Sequence, residues 1–173
     1  MSEHQVEGFP PIAQKDAHIL ILGSAPSVQS LQQQQYYAHP RNSFWPILTT
    51  LLLGETTSLP YPERVELLKQ KNIALWDVMR SCERSGSLDS NIANHTIETN
   101  PFSHFFETHP KISALFFNGG KAETVYQRKV APTLSPSHTS LPQYRLPSTS
   151  PAMAMLSREE KLAAWRKILD YLR

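Results

Sequence analysis

Three short blocks hold most of the residues whose types suit chemistry on a ligand. The first is Gly23-Ser-Ala-Pro-Ser27, which directly follows an apolar run. A Gly/Ser loop after a strand offers backbone N–H groups and hydroxyls to an anion or a polar edge. It has neither the Gly-Lys-Ser/Thr of a nucleotide phosphate loop nor a Gly-x-Gly-x-x-Gly fingerprint. The second block is Tyr36-Tyr37-Ala38-His39-Pro40-Arg41-Asn42-Ser43-Phe44-Trp45. Phe44 and Trp45 suit a core, whereas Tyr37 and Asn42 suit a flat ring and an amide presented to a base. His39, with no carboxylate partner nearby in sequence, reads as a brace for its loop. The third block, Leu146-Pro-Ser-Thr-Ser-Pro151, sets hydroxyls and free amides in a Pro-braced loop that can grip phosphates without a large net charge.

These blocks need elements to position them. His18-Ile-Leu-Ile-Leu22 reads as a buried parallel strand, Asn72-Ile-Ala-Leu-Trp76 and Ile112-Ser-Ala-Leu-Phe-Phe117 as the next two strands, and Tyr144-Arg-Leu146 as a fourth, short one. Helices are predicted over 42–53 (with Pro46 in its first turn), 62–71, 102–108 and 122–130. A terminal helix is predicted over 158–172, where Leu162, Trp165, Ile168, Leu169 and Leu172 recur at helical spacing. Residues 28–38 read as an irregular loop or short helix, and 80–100 and 131–142 as loops. Strands alternating with helices imply an α/β fold: a three-layer α/β/α sandwich around a central four-stranded parallel sheet. Ligands in such folds sit beyond the C-terminal ends of the strands. Here those ends are Gly23–Ser27, Trp76-Asp77, Asn118-Gly-Gly120 and Pro147–Ser150. The expected organisation is one domain over 1–173, with 1–16 as a loose N-terminal leader.

Composition narrows the class. The chain has 173 residues, 40% hydrophobic and 18% charged, which suits one core of an ordinary globular protein. Its longest apolar stretches, such as 47–53, are too short to span a bilayer, and no signal-peptide pattern opens the chain. One cysteine, Cys82, excludes an intrachain disulfide framework and cannot hold an iron–sulfur cluster. A cytoplasmic protein with no metal and no cofactor is expected. The formal net charge is only +2, but it is unevenly spread. Residues 1–120 hold 8 Lys and Arg against 11 Asp and Glu, a net of −3, and residues 121–173 hold 9 against 4, a net of +5. A basic C-terminal third suits a polyanion, or else Lys161, Arg166 and Lys167 simply solvate a terminal helix.

Taken in order, the blocks resemble the uracil-DNA glycosylase superfamily, whose members carry Gly-x-x-Pro after the first strand and a His-Pro-Ser or Asn-Pro-Ser motif after the fourth. Ala38-His-Pro-Arg-Asn-Ser-Phe-Trp45 is similar to the mismatch-specific uracil-DNA glycosylases. The full set adds Leu75-Trp-Asp-Val78, Ser81-Cys-Glu-Arg-Ser-Gly-Ser-Leu-Asp89 and Phe117-Asn-Gly119, and most resembles the hypoxanthine-DNA glycosylases over residues 18–170. Where many superfamily members have a water-positioning Asp or Asn in the first motif, this chain has Ala25. Where many have a leaving-group His, it has Leu146. The resemblance implies Asn42 as the catalytic substitute for the first. It further implies that Gly23, Ser24, Ala25, Pro26, Tyr37 and Asn118 form the base pocket, with Tyr37 stacking and Asn118 reading the edge. Ser27, Pro147, Ser148, Thr149 and Ser150 would contact DNA, with Met153 or Met155 as the wedge.

The implied activity is hydrolysis of the N-glycosidic bond of a deaminated base, most directly hypoxanthine, by a monomer acting on damaged DNA. A uracil or mismatch-specific enzyme, a hydrolase of free nucleosides and a non-catalytic binder of damaged DNA remain as alternatives. The basic C-terminal third and the Pro-Ser-Thr-Ser loop favour DNA over free nucleosides.

Overall fold

Strands buried along their whole length must be covered on both faces. Three such runs appear in the structure, a computed structural model that describes residues 4–172. They are β2 (Ile19–Gly23), β3 (Ile73–Asp77) and β6 (Ala114–Asn118), every residue of which is buried. Together with β7 (Gln143–Leu146) they form one parallel sheet in the order β3-β2-β6-β7. Three short strands, β1 (Gln5–Glu7), β4 (Met79–Glu83) and β5 (Glu98–Thr99), form a separate antiparallel sheet in the order β1-β4-β5. The helices are α1 (Val28–Gln33), α2 (Phe44–Leu53), α3 (Tyr61–Gln70), α4 (Phe102–Thr108), α5 (Gly120–Val125), α6 (Pro136–Thr139) and α7 (Arg158–Trp165). None among the described residues is long and apolar enough to cross a membrane.

The period of two along each strand divides the core into two layers. Leu20, Leu22, Ala74, Trp76, Leu115 and Phe117 pack with Phe102 and Phe105 of α4 and Ala122 and Val125 of α5. Ile19, Ile21, Ile73, Leu75, Ala114 and Phe116 face the other way, onto Phe44, Ile47 and Leu48 of α2, Leu68 of α3 and Trp165 of α7. The register keeps these sets aligned, with Ile21 opposite both Leu75 and Phe116. The result is the expected three-layer α/β/α sandwich. After β3 the chain crosses beyond β2 to place β6 on its other side. The strand order therefore reverses between β2 and β6, where open α/β sheets have their crevice.

Three expectations need correction. The leader is not loose where it is described. Val6 pairs with Cys82, Ile12 exchanges backbone hydrogen bonds with Leu75 (2.9 and 2.8 Å), and Trp76 Nε1 donates to Phe9 O. This covers the open edge of β3, an edge that would otherwise present unpaired backbone groups; residues 1–3 lie outside the described residues. The segment 80–100 is not simply a loop. Polar side chains there obscured β4 and β5, which pair antiparallel in a small sheet with β4 at its centre. The terminal helix changes form. α7 starts with a capping box between Ser157 and Glu160, then gives way to a 3₁₀ segment at Arg166–Tyr171.

Candidate functional site

The C-terminal ends of all four parallel strands open onto a cleft of about 950 Å³. Every residue singled out from the sequence as catalytic, base-binding or DNA-binding lines it, except Met155, the alternative wedge. These residues converge from four loops far apart in the chain.

Gly23 ends β2 where no side chain fits. A Cβ there would lie 2.6 Å from both Asp77 Oδ1 and Tyr37 Oη. Tyr37 itself holds a positive φ of 55°, a backbone conformation that costs a bulky residue strain and persists where the surroundings impose it. Its ring lies parallel to that of Phe44, with centroids 4.2 Å apart and planes at 15°. Phe44 is fully buried and is held edge-on by Trp45 and Trp165. Tyr37 is thus a platform backed by three rings. Its Oη lies near the Asn118 side chain without a well-formed hydrogen bond to it, and burial, reinforced by the charge of Asp77, holds the phenol well above its ordinary pKa despite that neighbour. Phe44 and Trp45 are core residues, as expected.

Asn42 sits just before α2 and lines the cleft half-buried. Its Oδ1 accepts from Phe44 N (2.9 Å) and its backbone N–H donates to His39 O (2.9 Å), so the amide is held in a tight Asx turn. One lone pair of the oxygen is used, and the other is available to orient a water. His39 Nδ1 accepts from the Arg41 N–H (3.0 Å), which braces the His-Pro-Arg turn and leaves the proton of the neutral ring on Nε2.

Asn118 is committed to its own loop. Its Nδ2 donates to Thr149 Oγ1 (3.0 Å), and its Oδ1 accepts from Thr149 N (2.9 Å). One N–H and one lone pair remain for a base edge. Thr149 is 1% exposed, and its carbonyl accepts from Ser43 N. It therefore anchors the loop and is not placed to grip a phosphate, because its hydroxyl is turned inward. Ser148 and Ser150, half-exposed, are the hydroxyls left at the surface. Pro147 O accepts from Trp165 Nε1 (2.9 Å), and Ser150 O accepts from Lys161 Nζ (3.3 Å). Lys161 does not solvate the helix. It is 5% exposed, and burial lowers the ammonium pKa. Met153 lines the cleft half-buried, whereas Met155 stands outside it, 88% exposed.

Asp77, Asp89 and Arg84, which the sequence places at a strand end and in a motif without a role, also belong to the site. Asp77 ends β3 as Asn118 ends β6, on the cleft side, and is 3% exposed. Burial, reinforced by the negative charge of Asp89 and opposed by Arg84, pushes its pKa up to about 7. Asp89 Oδ1 accepts from Ser24 Oγ (2.7 Å). Arg84, 4% exposed, donates from Nε to Gly86 O (2.9 Å) and from Nη2 to Pro26 O. With Val28 N donating to Ser87 Oγ, these bonds fasten the loop after β4 onto the Gly-Ser-Ala-Pro-Ser loop as one wall of the cleft. A signal was present in the sequence: a carboxylate closing an otherwise apolar buried strand is costly unless it has a task.

A family model described as Uracil DNA glycosylase superfamily matches residues 10–173. A hypoxanthine DNA glycosylase from Methanosarcina barkeri is 39% identical over 116 residues, which cover 67% of this chain and 72% of that one. A hypoxanthine DNA glycosylase from Methanosarcina acetivorans is 38% identical over 136 residues, covering 74% and 85% respectively. A solution NMR structure of a candidate uracil DNA glycosylase from Methanosarcina acetivorans superposes with a TM-score of 0.75 at 36% identity, covering 95% of this chain and 99% of that one.

Proposed function

The chain belongs to the uracil DNA glycosylase superfamily, and from that premise we propose that it is a monofunctional DNA glycosylase that releases hypoxanthine from deoxyinosine in DNA. The observation that supports this most is the pairing of Tyr37, stacked on a fully buried Phe44, with Asn42 in the same cleft. An extruded base loses its stacking and pairing, and an aromatic platform returns part of that loss. Asn42 holds a water toward C1′, and Asn118 offers its remaining donor and acceptor to the base edge. Ser148 and Ser150 sit where the DNA backbone enters, and Met153 reaches toward the vacated stack. The names of the Methanosarcina relatives favour hypoxanthine over uracil. The protein works as a monomer in the cytoplasm, where its one cysteine, buried Cys82, stays reduced.

The reaction needs water and no cofactor or metal in this reading. Among the described residues no His, Cys, Asp and Glu cluster is arranged to hold a metal ion. The test is product analysis on oligonucleotides carrying one deoxyinosine, deoxyuridine or deoxyxanthosine, with and without a chelator, and on free inosine. Free hypoxanthine and an abasic strand are expected from the first, undiminished by the chelator. Release from uracil strands alone, or from free inosine alone, would overturn the assignment.

A further inference from the structure

A purine leaves deoxyribose more readily when it gains a proton or a hydrogen bond as the C1′–N9 bond breaks. Few groups in the cleft are free to supply one. Leu146 is apolar. Asn118 keeps one N–H after its bonds to Thr149 and Asn42 keeps its Nδ2 donors, but a neutral amide can only donate a hydrogen bond and cannot transfer a proton. Asp77 differs. Among the described residues, none donates a hydrogen bond to its carboxyl oxygens or forms an ion pair with it. Its nearest cation, Arg84, has turned its guanidinium to the carbonyls of Pro26 and Gly86. The carboxyl lines the cleft beside Gly23, where a Cβ would lie 2.6 Å from both Asp77 Oδ1 and Tyr37 Oη. A buried carboxyl without a cation or a donor takes the neutral form, which is a proton donor.

We propose that the Asp77 carboxylic acid protonates the departing purine, acting as a catalytic acid that complements water held by Asn42. This rests on the reading of the protein as a hypoxanthine glycosylase. The C1′–N9 bond breaks, its electron pair passes to the purine, and the Asp77 proton moves to N7, so hypoxanthine leaves neutral. Water adds its oxygen to C1′ and gives up one proton, which restores the acid. One water is consumed and nothing else.

The charged and titratable groups around Asp77 are Tyr36 and Tyr37 before α2, Cys82 in β4, and Arg84 and Asp89 after it. Burial holds both phenols and the thiol above their ordinary values. A carboxyl pKa of about 7 keeps a useful fraction of Asp77 protonated at neutral pH.

The test compares wild type with Asp77→Asn in single-turnover release from deoxyinosine and 7-deazadeoxyinosine duplexes between pH 5.5 and 9. Wild type is expected to slow about tenfold per pH unit above the Asp77 pKa. Asp77→Asn should lose roughly two to four powers of ten at pH 6 and show a flat profile. The 7-deaza base has no N7 to protonate, so the two losses should not multiply. Folding provides an independent readout. A carboxyl whose pKa is higher folded than unfolded stabilises the fold fully at low pH, and that contribution is lost as pH rises from about 4 through about 7. The Tm of Asp77→Asn should therefore gain on that of wild type between pH 5 and pH 8. Near-normal rates in Asp77→Asn, multiplicative losses, or no relative gain in Tm would each overturn the role of Asp77. Failure of wild type to act on deoxyinosine at all would instead overturn the function.

Discussion

Asn42 and Tyr37 face opposite demands on one short segment. Asn42 is immobilised by Phe44 N and His39 O, so the water proposed to bind there would be oriented before the substrate arrives. Asn42→Ala should lower single-turnover excision by about two to three powers of ten, the usual cost of one lost positioning contact, while binding to deoxyinosine DNA stays within a few fold. A near-normal rate would remove Asn42 from the reaction. The task proposed for Tyr37 is different, because stacking is tolerant of base identity. Tyr37→Ala should cost about 1–3 kcal/mol of base binding, by a similar factor for hypoxanthine, uracil and xanthine. A changed preference among the three would show that Tyr37 reads the base as well as supporting it.

At the scale of elements, the Leu146–Pro151 loop is held by three others. Asn118 of β6 grips Thr149, Ser43 at the start of α2 donates to its carbonyl, and α7 supplies Lys161 and Trp165. Asn118 therefore has a structural task beside any reading of the base edge. Asn118→Ala removes two hydrogen bonds and leaves buried Thr149 groups unpaired, at a cost of about 1–3 kcal/mol in stability. Duplex binding should weaken as the loop loosens, and the ratio of hypoxanthine to uracil release should shift. A shifted ratio with unchanged Tm and binding would mean that the base edge is its whole role.

For the whole molecule, net charge is a weak guide to the DNA face. Part of the C-terminal basic charge is spent internally: Lys161 is buried, Lys167 pairs with Asp170 and Arg145 lies by Glu123. Arg41 and Arg145 are the cations that line the cleft. DNA binding should therefore have a shallow salt dependence. A log–log slope of roughly −2 is expected, at about 0.9 per neutralised phosphate, and Arg41→Ala or Arg145→Ala should each reduce it by about 1. A slope several times steeper would place the DNA on another, more basic surface.

The sequence alone determined the sandwich. Unbroken apolar runs such as Ile19–Leu22 and Ala114–Phe117 can only be strands covered on both faces, and such strands project their C-terminal loops to one side. That was enough to bring Gly23, Asn118 and the Pro147–Ser150 loop onto one cleft, and the family resemblance added Tyr37 and Asn42. Tertiary structure decided what pairing decides. The leader became an edge cover because β3 needed one, and polar residues after 80 became strands because β1 was there to receive them. Thr149 and Lys161 were turned inward by the buried partners they satisfy. Asp77 became an unpaired acid because Arg84 bonds carbonyls instead. Burial and partnership are long-range properties, and no spacing within a single block contains them.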